Sequence, residues 1–334
     1  MITTNKRVLV ALSGGVDSSV TAFLLKEQGF SVKGVFMRLW SEDDSSSKEA
    51  EKRAKEVANK LEIPFYVVDL KEEFEKRVVD YFFSSLNEGV TPNPCVVCNR
   101  EIKFGSLLEK LDFYDVDYLA TGHYVKKEGK RLFFSGEKDQ SYFLWRLKKE
   151  WLDKIMFPLG DYNKKQVREI ASKMSLPTAK TKESQEICFV SDNTSSFLER
   201  NMTNLPGKII DDCGNIIGEH KGLFYYTIGQ RKGLDLSNGP FYVLSKDLKN
   251  NILVITKKEE KLLQKGLEYK ESNFLKEVSF PFKAEVKTRH RGDLVEAFVE
   301  KEKVSFSSPQ KSITPGQSVV FYKEGELLGG GIIK

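Results

Sequence analysis

The sequence predicts an α/β protein: an N-terminal domain built on a parallel sheet, then a small β-rich central domain, then a C-terminal β-barrel or sandwich. Three observations carry this. Short β-branched runs alternate with amphipathic stretches of helical period in the first part of the chain. A glycine-rich loop stands directly after the first such run, and beyond about Asn204 the pattern becomes short strands broken by Gly and Asn turns.

The elements follow in order. Lys6 to Leu12 reads as a buried strand, Ser18 to Gln28 as a helix closed by Gly29, and Val32 to Trp40 as a second strand. An acidic, serine-rich loop at Ser41 to Ser47 leads into a charged helix ending near Leu61. Pro64 introduces a strand at Phe65 to Leu70, and a helical pattern runs from Lys71 to Asn87 until Gly89 stops it. Strand, helix, strand in this rhythm implies a parallel sheet covered on both faces, with ligands beyond the carboxyl ends of its strands. The expected site is the loop Ser13 to Ser18.

Past Asn204, Lys208 to Asp211 and Ile216-Ile217 flank a Cys213-Gly214-Asn215 turn, as in a hairpin. A lysine-rich passage near Lys257 to Glu271 separates this small domain from the final alternating strands, which end in Gly329-Gly330-Gly331. A chain of 334 residues exceeds the usual reach of one hydrophobic core. The domains expected are 1–203, 204–262 and 263–334, with no internal repeat.

With 40% hydrophobic and 30% charged residues the chain is not a disordered one. No apolar run reaches the length of a membrane span, and the start, MITTNKRVLVALSGG, lacks the zones of a signal peptide, so no membrane partner and a cytoplasmic location are expected. The net charge of +5 permits a polyanionic partner without establishing one. Cations gather at Lys126, Lys127, Lys130 and Arg131, at Arg146, Lys148 and Lys149, and at Lys283, Lys287, Arg289 and Arg291. A solvated surface is the ordinary reading of each cluster.

Ser13-Gly14-Gly15-Val16-Asp17-Ser18-Ser19 follows the first strand and opens the first helix. Glycines there let the backbone approach an anion, and free N–H groups with serine hydroxyls can hold phosphate oxygens. The loop lacks both the Walker ending and the dinucleotide-fold spacing. It is similar to the pyrophosphate loop of the PP-loop ATP pyrophosphatases, which adenylate a substrate and release pyrophosphate.

Four cysteines are too few for a disulfide scaffold of this length. Cys95 and Cys98 stand two residues apart after a stretch stiffened by Pro92 and Pro94. Taken by themselves they read as half a zinc site, a redox pair or inert thiols; no second pair supplies the rest of a zinc site. Cys188, between Ile187 and Phe189, reads as a buried apolar thiol, and Cys213 has no assigned role.

SGGVDSS, TPNPCVVCNREIKFG (Thr91 to Gly105), ATGHY (Ala120 to Tyr124), KDQSYFLW (Lys138 to Trp145), ICFV (Ile187 to Val190), YTIGQRKGL (Tyr226 to Leu234) and ITPGQSVVFY (Ile313 to Tyr322) occur together and in order. In this the chain resembles the tRNA-specific 2-thiouridylases along essentially its whole length. The resemblance implies a PP-loop catalytic domain, a β-rich central domain and a C-terminal β-barrel that meets tRNA. It implies an enzyme that adenylates O2 of the wobble uridine with ATP and Mg2+, then replaces that oxygen by sulfur.

The resemblance also distributes roles. Ala11, Leu12, Ser13, Gly14, Gly15, Val16, Asp17 and Ser18 would bind ATP, with Met37 and Gly122 against the nucleotide. Cys98 would be the nucleophile and Cys188 the persulfide carrier, loaded by a sulfur-relay protein or cysteine desulfurase; the two would end as a disulfide. Asn93, Pro94 and Cys95 would meet the flipped base. His123, Lys138, Asp139, Gln140, Arg289, His290 and Gln317 would contact tRNA, and the protein would act as a monomer. His290 stands where the family commonly has Tyr.

Cys95 stands where many members carry Asp. Sequences of this form resemble the branch in which three cysteines hold a 4Fe–4S cluster, here Cys95, Cys98 and Cys188. The persulfide route, without metal, is the leading expectation. Two other readings share the loop: a ligase or amidotransferase acting on a small molecule, and an RNA-binding protein with a vestigial nucleotide site.

Overall fold

The computed structural model describes residues 5–181, 187–190 and 192–334. In chain order it begins with β1 (Arg7–Ala11), α1 (Val16–Glu27), β2 (Ser31–Arg38), α2 (Asp44–Lys60), β3 (Phe65–Asp69) and α3 (Lys71–Phe74). A π-helical stretch, Glu75–Val79, joins α3 to α4 (Asp80–Asn87). Then come α5 (Pro94–Cys98), a second π-helical stretch (Asn99–Ser106), β4 (Tyr118–Ala120), β5 (Lys126–Glu128), β6 (Arg131–Phe133), β7 (Ile155–Met156), α6 (Lys164–Lys173) and α7 (Thr194–Asn201). The rest is β: β8 (Gly207–Asp211), β9 (Ile216–His220), β10 (Tyr242–Asp247), β11 (Ile252–Thr256), β12 (Leu263–Phe274), β13 (Phe282–Lys287), β14 (Val295–Val299), β15 (Lys303–Lys311), β16 (Ser318–Lys323) and β17 (Glu326–Ile333).

These elements form two compact units. The first comprises Met1–Val78, Cys95–Asp192 and Glu324–Leu327. Its sheet has the order β3-β2-β1-β4-β7, with every pairing parallel. Val8, Leu9 and Val10 of the central strand are wholly buried, as they must be when helices cover both faces. Burying Leu9 alone is worth roughly 2 kcal/mol. Glycine ends α1 as anticipated: Gly29 has φ +84°, a conformation that needs no Cβ.

Most element ends fall within two residues of the sequence reading, and two larger differences have a physical cause. The acidic loop is shorter, because Asp43 accepts from the Ser45 backbone N–H and so starts α2 at Asp44. In the passage Lys257 to Glu271, most residues after Leu262 lie in β12 and do not form a separator. Leu267 and Tyr269 alternate into the core there, and Glu268 and Lys270 occupy the outward positions.

The second unit comprises Val79–Pro94, Asn193–Lys323 and Leu328–Lys334. It holds a four-stranded sheet, β10-β11-β8-β9, and an antiparallel barrel, β12-β15-β14-β13-β16-β17, closed by the pairing of β12 with β17. Closure settles barrel against sandwich, and the short hairpin β5-β6 extends the same sheet from the start of β17. The expected hairpin at Cys213 is present: Asp211 accepts from the backbone of Cys213 and Asn215, and Gly214 takes φ +91°.

Candidate active site

The phosphate loop is formed by β1 ending and α1 beginning with nothing between but Leu12 to Gly15. Gly15 occupies the cap position of α1 with no side chain to close it, so the helix start is open to an acceptor. The loop is tied to itself: Ser13 N–H donates to Ser18 Oγ at 3.1 Å, and Ser18 and Ser19 hydroxyls donate to the Gly15 carbonyl at 3.1 and 2.8 Å. Gly14, at φ +71°, lies so close to the Ala50 carbonyl that a Cβ could not be placed there. Ser13 is exposed, Gly15 and Asp17 are half-buried, and Ala11, Leu12, Val16 and Ser18 form the buried frame. Met37, half-buried, is near the carboxyl end of β2, the edge on which this loop lies.

Asp17 is held from two sides. Lys164 Nζ sits 2.7 and 2.8 Å from its carboxylate oxygens, and Tyr124 donates its hydroxyl at 2.6 Å. Sequence reasoning missed Lys164. It is the first residue of α6, made predictable only as a helix start by the capping box of Asn163 and Gln166. Gly122 completes the wall, since a Cβ on it would come within 2.8 Å of the Ser18 amide nitrogen and 3.1 Å of the Asp17 side chain.

The thiols form a second cluster in the same unit. Pro94, lacking an N–H, is the first residue of α5, and Cys98 is its last. The π-helical stretch that follows carries Lys103, five residues after Cys98 and so one π turn on. Cys98 is buried, and burial pushes its thiol up to about 12, opposed by the Lys103 ammonium and reinforced by Cys188 and Cys95. Cys95 and Cys188 reach solvent, yet enough protein encloses them that burial raises both thiols, again opposed by Lys103. Those are the properties of groups on the walls of a recess. All the cysteines are free thiols.

Lys103, also missed by the sequence reading, is the shared element. Burial pushes its ammonium down, but Cys98, Cys188 and Cys95 outweigh this and leave it raised. Cys188 is kept in place by its neighbour: Phe189 packs edge-on against Trp40 at 6.3 Å and Phe74 at 5.7 Å. Asn99, beside Cys98, is buried with its Nδ2 on the Phe143 carbonyl at 3.2 Å and its Oδ1 facing no partner among the described residues.

The residues assigned to tRNA by resemblance fare unequally. His123 is enclosed, not presented: its Nδ1 pairs with Thr121 Oγ1 at 2.8 Å, its ring meets Phe104 and Phe157, and burial followed by Lys103 lowers it to about 3. Asp139 is likewise buried, accepting from Ser135 N, Ser141 N and Ser141 Oγ in its own turn. Gln140 accepts from the Tyr124 backbone at 3.0 Å, while Lys138 is exposed. In the other unit Arg289 is exposed, His290 half-buried, and the Gln317 side chain is engaged with the chain itself, donating to the Thr91 and Pro92 carbonyls. Asn93 and Pro94 are buried.

The first lysine cluster is largely paired off, Lys126 with Glu128, Lys130 with Asp153 and Arg131 with Glu326. Among the described residues no helix is long and apolar enough to cross a membrane.

One short segment joins the two clusters. Gly122 lies against the phosphate loop, His123 feels the Lys103 charge, and Tyr124 donates to Asp17, all just beyond the carboxyl end of β4. The anion cradle and the Lys103 ammonium, whose charge also reaches the three thiols, thus both act on the same three residues. That pairing suits activation of an oxygen by a nucleotide followed by its displacement by sulfur.

Three family models match the chain: the tRNA methyl transferase HUP domain over residues 6–192, the tRNA methyl transferase PRC-barrel domain over 195–257, and the aminomethyltransferase beta-barrel domain over 264–333. The tRNA-specific 2-thiouridylase MnmA 1 of Caldanaerobacter subterraneus subsp. tengcongensis is 46% identical over 358 aligned positions, covering 99% of this chain and 98% of that protein. The tRNA-specific 2-thiouridylase MnmA of Carboxydothermus hydrogenoformans is 46% identical, covering 98% of each. Among solved structures, the U34-tRNA thiolase NcsA from Methanococcus maripaludis with its 4Fe–4S cluster aligns at 23% identity and a TM-score of 0.37, over 60% of this chain and 67% of that one. That last likeness is too slight to bear on any residue.

Proposed function

This chain belongs to the tRNA-specific 2-thiouridylase family, and from that premise we propose how its own residues carry out the reaction. The protein is an ATP-dependent sulfurtransferase that converts a uridine of tRNA into 2-thiouridine, with AMP and pyrophosphate as the other products. The uridine is the wobble one. Residues 1–203 carry the chemistry, and the β-rich parts, 204–262 and 263–334, hold the RNA. It works in the cytoplasm as a monomer.

Ala11 to Ser18 cradle the triphosphate, with Met37 and Gly122 against the nucleotide. Asp17 offers carboxylate oxygens of the kind Mg2+ takes, and that ion would neutralise phosphate charge there. Uracil O2 attacks the α-phosphorus, pyrophosphate leaves, and O2 becomes part of an adenylate that can depart. Asn93, Pro94 and Cys95, consecutive in the chain, meet the flipped base.

Cys188 carries a persulfide from a sulfur-relay protein or cysteine desulfurase. The Cys98 thiolate attacks the Cys188 sulfur, the persulfide S–S bond breaks, and hydrosulfide leaves with the bonding electrons. It adds to C2 of the uracil and AMP is expelled. A Cys98–Cys188 disulfide remains, which a thiol reductant returns to two thiols with two electrons. Burial holds the Cys98 thiol up, Lys103 opposes that and so favours the thiolate, and its ammonium is a counter-charge for the departing sulfur anion.

The observation that carries this reading is the junction at Gly122, His123 and Tyr124 between phosphate loop and thiol cluster. Cys95, Cys98 and Cys188 are the right kind of ligands for a 4Fe–4S cluster, but among the described residues no three Cys, His, Asp or Glu groups are arranged to hold a metal ion. No step is routed through one. Purified protein incubated with tRNA, ATP and a persulfide donor should form AMP and 2-thiouridine in equal amounts, read by nucleoside mass spectrometry. ATP–pyrophosphate exchange driven by a small acid and indifferent to tRNA would overturn the proposal. Anaerobic purification with an iron and sulfide assay, repeated on Cys95→Asp, tests the cluster route directly.

A further inference from the structure

Two of the motifs that mark this chain, YTIGQ at Tyr226 to Gln230 and ITPGQ at Ile313 to Gln317, take no part in the chemistry above. Both converge on one strap in their own unit, Gly89 to Pro94, which leaves the end of α4 and lies outside every strand. Pro92 and Pro94 have no N–H to give a ladder, and the strap's backbone and side-chain groups find partners elsewhere in the unit.

Those partners are supplied one at a time. Thr91 N–H donates to the Pro315 carbonyl at 2.9 Å. Gln317 Nε2 donates to the Thr91 carbonyl at 3.0 Å and to the Pro92 carbonyl at 2.9 Å. Thr227 Oγ1 lies 3.3 Å from Thr91 Oγ1, and Lys246 Nζ holds the Gly89 carbonyl at 3.1 Å. Gly316, at φ +89°, allows the approach: a Cβ there would stand 2.7 Å from the Thr91 oxygen and 3.0 Å from Val90 Cβ.

Gln317 is itself fixed. Its carbonyl accepts from Ile333 N–H at 2.9 Å, and the neighbouring Gly316 N–H donates to the Ile333 carbonyl at 2.9 Å, tying both to the end of β17. Two carbonyl acceptors set the orientation of its amide, since only the NH2 side can serve both.

We propose that Gln317 is a positioning residue for sulfur transfer: it clamps Thr91 and Pro92 to the barrel, so that the barrel and the base-binding residues Asn93 and Pro94 form one rigid piece. This rests on the proposed role of Asn93 and Pro94, and it replaces the tRNA contact that resemblance assigns to Gln317. The barrel then does more than grip RNA: gripping it fixes where the base must enter.

The test uses full-length Gln317→Glu, Gln317→Leu and Thr227→Val, measuring tRNA affinity by filter binding and single-turnover thiolation at saturating tRNA. Misplacing a reacting group by a fraction of an ångström costs on the order of tenfold or more, so Gln317→Glu should lose that much rate with affinity held within about twofold. The deficit relative to wild type should shrink as pH falls towards 5.5, where a protonated Glu regains one donor, and Gln317→Leu should show no such recovery. Thr227→Val, which keeps the shape and removes one hydroxyl, should lose rate by a smaller factor.

Hydrogen exchange at the Thr91 and Asn93 amides should quicken in Gln317→Leu. That readout needs no turnover, so failure of the brace stays distinct from failure of the thiolation reading. Unchanged exchange overturns the proposal, as does an affinity loss of about tenfold with the saturating rate preserved, the signature of a lost RNA contact. If Gln317→Glu does not fold, the saturating rate of Thr227→Val decides, and an unchanged rate there also overturns it.

Discussion

The Cys98 thiol senses the charge of Cys188, and both sense the ammonium of Lys103. Two cysteines far apart in sequence therefore lie within the electrostatic reach of one cation.

Cys98→Ser and Cys188→Ser should each abolish 2-thiouridine formation while tRNA affinity stays within a few fold, because neither side chain is a phosphate contact. Thiolation is read by mass spectrometry and affinity by filter binding. Loss of affinity in both variants would remove them from the sulfur-transfer step.

Lys103→Met should slow alkylation of Cys98 by iodoacetamide at pH 8 by about tenfold or more, and move its pH profile to higher pH. The sign follows from charge: burial already pushes this thiol up to about 12, and Lys103 is the opposing influence. Lys103→Arg should restore most of the reactivity. Equal alkylation rates in all three proteins would mean that the ammonium does not govern the thiol.

His123 gives the protein an acid limb. Its folded value of about 3 lies below the ordinary imidazole value, so the unfolded chain takes up the proton first and stability falls as pH drops from about 6.5 towards 3. Urea midpoints measured from pH 7 to pH 4 should decline less steeply in His123→Gln than in wild type. Parallel declines would place the acid sensitivity elsewhere.

Lys164→Ala and Gly122→Ala should both impair AMP formation and leave tRNA binding intact. The first strips Asp17 of its ion pair, and the second drives a methyl into the start of α1 at 2.8 Å from the Ser18 nitrogen. Gly122→Ala should also cost about 1–3 kcal/mol of stability, visible in a melting curve. Normal ATP turnover in either variant would separate that residue from the nucleotide.

Arg289→Ala should weaken tRNA binding and reduce the slope of log affinity against log salt by about one unit. Arg289 is exposed near the end of β13, where a phosphate could reach it. A salt slope equal to that of wild type would take Arg289 out of the interface.

Much of the architecture was legible because it rests on local causes. The β-branched runs became the parallel strands, Gly29 and Gly89 ended their helices with positive φ, and the serines and glycines after β1 made an open helix start. The errors were also local. Asp43 stands in an acidic, serine-rich stretch yet caps α2, and the charged residues of β12 hide an alternation whose inward members are Leu267 and Tyr269.

The sequence by itself determined the order of elements, the anion cradle and the family, since each is written in neighbouring residues whose chemistry acts at short range. Tertiary structure alone decided which side chains meet. Lys103 among the thiols, Lys164 on Asp17, the enclosed His123 and Gln317 on Thr91 all depend on strand order and helix placement bringing distant residues within a few ångströms. A lysine or glutamine looks the same in sequence whether it faces water or a buried partner, and only the packed fold sets the desolvation and hydrogen bonding that distinguish the two.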